Sequence, residues 1–82
     1  MEKNWVVYIL QCLDGSYYTG ITNDIENRMK AHASGKGSKY VKVKGFGCLI
    51  ATKVCKDRSD ASKKECFVKK LPKGEKVGWF GG

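Results

Sequence analysis

Residues 5–12, Trp-Val-Val-Tyr-Ile-Leu-Gln-Cys, are apolar at nearly every position. Strands covered on both faces read this way, so the run predicts a central strand of β-branched and aromatic residues. Asp14-Gly15-Ser16 is a turn signal, and Tyr17–Thr22 is again strand-like, so the two runs predict a β-hairpin. A helix should follow, with Asn23 as its N-cap and Glu26 three residues on, as in a capping box. Asp24 and Glu26 suit the positive end of the helix dipole, and Gly35 should end the helix. Residues 35–47 carry four lysines, no acid and several glycines, and predict a basic connection with a short helix or turn near 39–43. Residues 48–55 predict a third strand. Ser59 is the expected cap of a helix running to about Leu71, where Pro72 stops or bends it. A last short helix fits 73–80, weakened by Gly74 and Gly78, with Gly81 and Gly82 as a disordered tail. The order β-β-α-β-α-(α) predicts an α+β domain, a small three-stranded antiparallel sheet flanked by helices in a sandwich-like α/β arrangement.

Length fixes the scale of that picture. A chain of 82 residues holds one small domain, expected to span 1–82, and excludes Rossmann, TIM-barrel and kinase architectures. With 41% apolar and 11% aromatic residues it has enough core to fold. No run approaches 18 apolar residues, so no segment is expected to span a membrane. The N-terminal stretch lacks a small-residue cleavage site, and the expected location is cytoplasmic.

Charge divides the chain. Residues 1–35 hold three basic and four acidic groups, and residues 36–82 hold thirteen basic and four acidic groups, giving a net +8 overall. A basic excess gathered in one part of a small domain suits a polyanion, nucleic acid first and anionic lipid second. The four cysteines, Cys12, Cys48, Cys55 and Cys66, form no C-x-x-C pair. Core packing is their expected role, ahead of zinc or a disulfide.

Three placements bear on chemistry. Arg28 and His32 lie four apart, about 40° from one another around the helix, at the border of the face carrying Ile25 and Met29. Arg offers a planar fork for phosphate oxygens, and His moves a proton near neutral pH; the plain alternative is an amphipathic margin. Glu65 falls within the stripe Ala61–Val68–Leu71. A carboxylate there needs a cation, which can be a Lys or Arg partner or a divalent metal. Tyr8 and Tyr18 sit on paired strands and can share a site or simply pack. Gly20 inside a strand suggests a bulge or a close backbone approach.

Tyr8, nine intervening residues, Tyr18-Thr19-Gly20, then Arg28, His32 and a later lone Glu65 form an ordered set that resembles the GIY-YIG nuclease superfamily, in its small stand-alone bacterial form. The resemblance runs from about Trp5 to Lys76. It implies a metal-dependent endonuclease hydrolysing phosphodiester bonds in DNA, with RNA as the other polyanion and one divalent ion, Mg²⁺ or Mn²⁺, as cofactor. By position it implies Glu65 as metal ligand and Arg28 as the group stabilising charge on the scissile phosphate. Tyr8, Tyr18 and His32 fall where groups orient or deprotonate the attacking water. A free His, with a pKa near 6.5, is a better base at neutral pH than a free Tyr near 10, and the choice between Tyr18 and His32 stays open.

The chain also departs from the pattern. Val6-Val7-Tyr8 lacks the initial Gly-Ile, Ile21 stands where several members carry Lys, and no Asn follows Asn27. Lys70 or Lys36 can replace the missing lysine. Gly20, Lys36, Lys39, Lys42, Lys44 and Lys70 are the expected nucleic-acid contacts. The alternative is a weak or inactive nucleic-acid-binding module on the same fold. Without a second binding domain, targeting falls to this domain or to a protein partner.

Overall fold

The computed structural model describes residues 4–81. The elements are β1 (Val6–Cys12), β2 (Tyr17–Thr22), α1 (Ile25–Ala33), α2 (Lys39–Lys44), β3 (Phe46–Val54), α3 (Arg58–Lys69) and α4 (Lys73–Gly81). The sheet order is β2-β1-β3, with both neighbours antiparallel to β1. The expected α+β class and the central place of the first strand are what is observed. Val7, Tyr8, Ile9 and Leu10 have no exposed surface, which explains why the run lacks polar interruption.

Alternation along β1 sends successive side chains to opposite faces. Tyr8, Leu10 and Cys12 join Val41 of α2, with Ile25 and Met29 of α1 packed against them. Val7 joins Cys55, just after β3, and Ala61 of α3, with Trp5, Ile21 and the α4 residues Trp79 and Phe80. α1 and α2 therefore cover one face, and α3 and α4 the other. β3 carries two irregularities opposite Ile9/Leu10 and Gln11/Cys12. Gly47 lies at the second, where a Cβ would come 2.5 Å from the Gln11 carbonyl oxygen, so only glycine fits.

Several local expectations need correction. α1 is capped by Asp24, not Asn23: an Asp24 carboxylate oxygen accepts from Asn27 N at 3.3 Å, while Asp24 N donates to Thr22 Oγ1 at 3.0 Å. α3 begins before Ser59, because Asp57 caps it, accepting from Asp60 N at 2.8 Å while Asp60 reaches back to Lys56 N at 2.8 Å. The basic connection does hold one of its two expected forms, a short helix, α2, whose buried Val41 gives it an anchor. α1 does end as expected, with Gly35 at φ +81°. Gly81 closes α4 and is not tail; Gly82 lies outside the described residues. All four cysteines are free, but only Cys12 and Cys55 are buried; Cys48 and Cys66 are exposed. Cys48 lies on the edge strand and Cys66 on the outer part of α3, so neither position had a layer to cover it. Among the described residues, no helix is long and apolar enough to cross a membrane.

Candidate active site

Of the residues singled out by spacing, Tyr8, Tyr18, Arg28 and His32 meet on the Tyr8 face. Tyr8 stands opposite Gly20 across the β1–β2 ladder, and Leu10 stands opposite Tyr18. The two tyrosines are thus diagonal neighbours on one face, with ring centroids 6.4 Å apart. A Cβ on Gly20 would lie 2.5 Å from Tyr8 Oη and 2.7 Å from Cζ. The glycine is there because the Tyr8 ring lies across its backbone. Gly20 is itself buried, which makes room for Tyr8 its direct structural contribution.

His32 comes from the last turn of α1 and is only 2% exposed, deeper than a helix margin would place it. Its Nε2 is 2.8 Å from Tyr8 Oη. The Tyr18 ring meets His32 edge-on at 5.5 Å and stacks on Tyr40 of α2 at 5.9 Å. The rings form a column from buried Tyr8 through partly buried Tyr18 to Tyr40, which is 41% exposed.

Arg28 lies one helical turn before His32. Its Nη2 donates to the Gly37 carbonyl at 3.0 Å. Its Nε is buried and has no protein partner, and neither does His32 Nδ1. An unpartnered guanidinium N–H in a buried setting is costly and is ready to donate to an anion.

The electrostatics follow from burial. Desolvation, followed by the positive charge of Arg28, holds His32 below its ordinary value, so the imidazole is neutral at pH 7. Burial pushes the Tyr8 hydroxyl up. Arg28 opposes that push, whereas Tyr18 and Glu65 add to it. Tyr8 therefore keeps its proton and shares it with a neutral His32 across the 2.8 Å contact.

Glu65 is partly buried, with its side chain 22% exposed, and its carboxylate is 3.5 Å from Lys69 Nζ. The cation that its position demanded is thus supplied in part by its own helix. Among the described residues, no group of three or more His, Cys, Asp or Glu side chains is gathered as a metal cage. A single carboxylate can still serve a hard cation such as Mg²⁺, which is commonly held by one or two carboxylates plus substrate phosphates.

The lysines are less uniform than their sequence suggests. Lys36, Lys39, Lys42 and Lys70 are exposed, and Lys70 stands at the C-terminal end of α3, away from the α2 group in sequence. Lys44 is also exposed, but its Nζ is 3.1 Å from Asp14, whose carboxyl is held down to about 2 by hydrogen bonds from Ser16 and then by Lys44. Two residues that bear on the site were missed by spacing. Tyr40 extends the ring column, and Gly37 touches both Arg28 and His32. Glycine punctuation in 35–47 was the available signal for Gly37, but punctuation does not say which glycine is in contact.

Residues 4–76 match the GIY-YIG catalytic domain. A UPF0213 protein of Xanthomonas axonopodis pv. citri (strain 306) is 43% identical over 78 residues, covering 95% of this chain and 76% of that protein. A UPF0213 protein of Halalkalibacterium halodurans is 47% identical over 73 residues, covering 89% of this chain and 78% of that one. The solution NMR structure of a UPF0213 protein from Bacillus halodurans is similar with a TM-score of 0.57 at 45% identity, covering 93% of this chain and 81% of that one. The chain belongs to the GIY-YIG catalytic-domain family, alongside small bacterial UPF0213 proteins, and has the nuclease-type fold of that family.

Proposed function

We propose that this domain is a metal-dependent endonuclease that hydrolyses phosphodiester bonds in DNA. The observation that carries the reading is Arg28, whose buried Nε lacks a partner beside a clustered Tyr8, Tyr18 and His32. A phosphate oxygen is the acceptor whose geometry and charge best suit that N–H.

Roles follow from exposure and charge. Arg28, anchored through Nη2 and only half-buried as a residue, presents its guanidinium to a non-bridging phosphate oxygen and offsets the negative charge that grows there in the transition state. Of the candidate bases, Tyr8 and His32 are buried, and Tyr18 alone keeps exposed surface. Tyr18 is therefore the group assigned to meet the attacking water. The neutral His32, hydrogen-bonded through Nε2 to the Tyr8 hydroxyl, fixes that ring. Glu65 is the residue that would hold a divalent ion, with phosphate oxygens and water completing its shell. Such an ion supplies electrostatic stabilisation of the phosphate and a more acidic water. The exposed lysines Lys36, Lys39 and Lys42 grip the backbone outside the site, with Lys44 contributing less while Asp14 holds it.

Supercoiled plasmid with Mg²⁺ or Mn²⁺ tests the reading. Nicking is expected from the wild type, lost on adding EDTA and lost in Glu65→Ala and Arg28→Ala. Nicking that persists in both variants overturns the assignment. Salt-sensitive binding with no metal-dependent cleavage would instead support a binding module on the same fold.

A further inference from the structure

Gly37 lies outside every element, in the turn between α1 and α2, yet it touches two residues of the site by two different parts of its backbone. Its carbonyl accepts from Arg28 Nη2 at 3.0 Å. Its α-carbon faces the His32 ring so closely that a Cβ there would come 2.5 Å from Nδ1 and 2.9 Å from both Cε1 and Cγ. We propose that Gly37 is a positioning residue of the site, a side-chain-free clamp that fixes the Arg28 guanidinium and the His32 imidazole together.

The clamp is held from behind. Gly37 N donates to the Ala31 carbonyl at 3.1 Å, and Lys36 N donates to the same oxygen at 2.8 Å. The turn is thus tied to the last turn of α1, the helix that carries Arg28 and His32. This closed arrangement also accounts for the orphan Nδ1, because what covers that nitrogen is a CH₂ group, which excludes water and offers no partner. The ring has no free direction in which to yield: Tyr8 Oη holds Nε2 at 2.8 Å, and Tyr18 lies against it edge-on at 5.5 Å. A methyl on Gly37 must therefore displace either the imidazole or the turn, and each of these disturbs Arg28 or Tyr8 as well.

Gly35 supplies the control within the same turn. It has φ +81°, so alanine there is strained, but its Cβ would meet only the Lys42 side chain, at 3.6 Å. Gly35→Ala should lower stability and leave the site's geometry in place. A merely structural turn would make the two variants behave alike.

The proposal rests on the nuclease reading for its consequence in catalysis, and its primary readout is independent of activity. His32 is the sole histidine of the chain, so its ring resonance in a pH titration is unambiguous. In Gly37→Ala the midpoint should rise from its lowered position toward the ordinary value near 6.5, as the ring loses its cover. In Gly35→Ala it should stay at the wild-type position. An unchanged midpoint in folded Gly37→Ala overturns the clamp. Should Gly37→Ala fail to fold, the pair Gly37→Ala/His32→Ala decides the matter: removing the ring makes room for the methyl, so the double variant should fold and be more stable than Gly37→Ala. A double variant no better than the single one overturns the proposal. With plasmid, Gly37→Ala should lower kcat on the order of a hundredfold while KM changes little, as expected for misplaced groups. If the wild type does not cleave at all, the nuclease reading falls, and the titration and the double variant still judge the clamp.

Discussion

Val7 and Tyr8 are adjacent residues on one strand, both without exposed surface, yet they face opposite kinds of interior. Behind Val7 lie Cys55, Ala61, Trp5, Ile21, Trp79 and Phe80. Around Tyr8 lie His32, Tyr18, Arg28 and a buried N–H with no partner. The α3–α4 face is ordinary hydrocarbon packing that holds the sheet together. The α1–α2 face gives up part of its packing to bury polar groups that a core built for stability alone would omit. The contrast separates, within one small domain, an apolar interior from a polar one that holds four of the candidate site residues.

The largest effect should come from removing charge on the polar side. Arg28→Ala deletes the unpartnered N–H and should lower plasmid nicking by about 10²–10³-fold, the usual loss for one transition-state donor. The far-ultraviolet spectrum should be unchanged. The converse belongs to the other face. Val7→Ala should cost about 2 kcal/mol of unfolding free energy, from lost burial and a residual cavity. Cleavage per folded molecule should remain at the wild-type level. If Val7→Ala removes activity from well-folded protein, the two faces are not separate in function.

Tyr8→Phe sharpens the comparison at a single atom. The ring and its fit over Gly20 are kept, and only Oη is lost. His32 Nε2 then joins Nδ1 without a partner. The expected cost is about 1–3 kcal/mol in denaturant unfolding, together with reduced cleavage. A neutral or stabilising outcome would mean that the Tyr8–His32 contact contributes nothing to the fold.

Much of this frame was readable from the chain. The unbroken apolar run 5–12 marks a strand covered on both sides, and the four-residue spacing of Arg28 and His32 sets them on one helix face. What periodicity cannot express is a turn folding back. Spacing sets His32 at the border of a helix face and says nothing of its depth, because the wheel knows nothing of the turn after α1, where Gly37 lies against the ring. The caps were displaced for a local reason: Asp24 stands beside Asn23 and Asp57 precedes Ser59, and each aspartate took the hydrogen bond that its neighbour could also have accepted. The two exposed cysteines were misjudged because composition reports a residue's preference and not whether a layer exists above it. Glu65 is legible as an oddity in its stripe, and the structure adds that its near cation is Lys69, one turn on along the same helix.

The smallest effect, and the most specific to the polar face, is a dependence of stability on pH. His32 is neutral in the folded protein because burial, and then the charge of Arg28, hold it below its ordinary value. The unfolded chain takes up a proton on this residue near pH 6.5. The folded chain does so only at lower pH. In the window between, the unfolded state binds more protons, so stability falls as pH falls. Above the window the contribution of the neutral ring is fully present. Each tenfold difference in proton affinity between the two states amounts to about 1.4 kcal/mol once both have titrated. Urea unfolding of the wild type should therefore show a midpoint that declines from pH 7 toward 5, and His32→Gln should remove that part of the slope. Asp14 and Asp60, whose carboxyls are held below the usual range, titrate in more acidic solution and leave this window clear. Parallel declines in wild type and His32→Gln would show that the imidazole is not held neutral, and the polar face would then lose the feature that most distinguishes it from the apolar one.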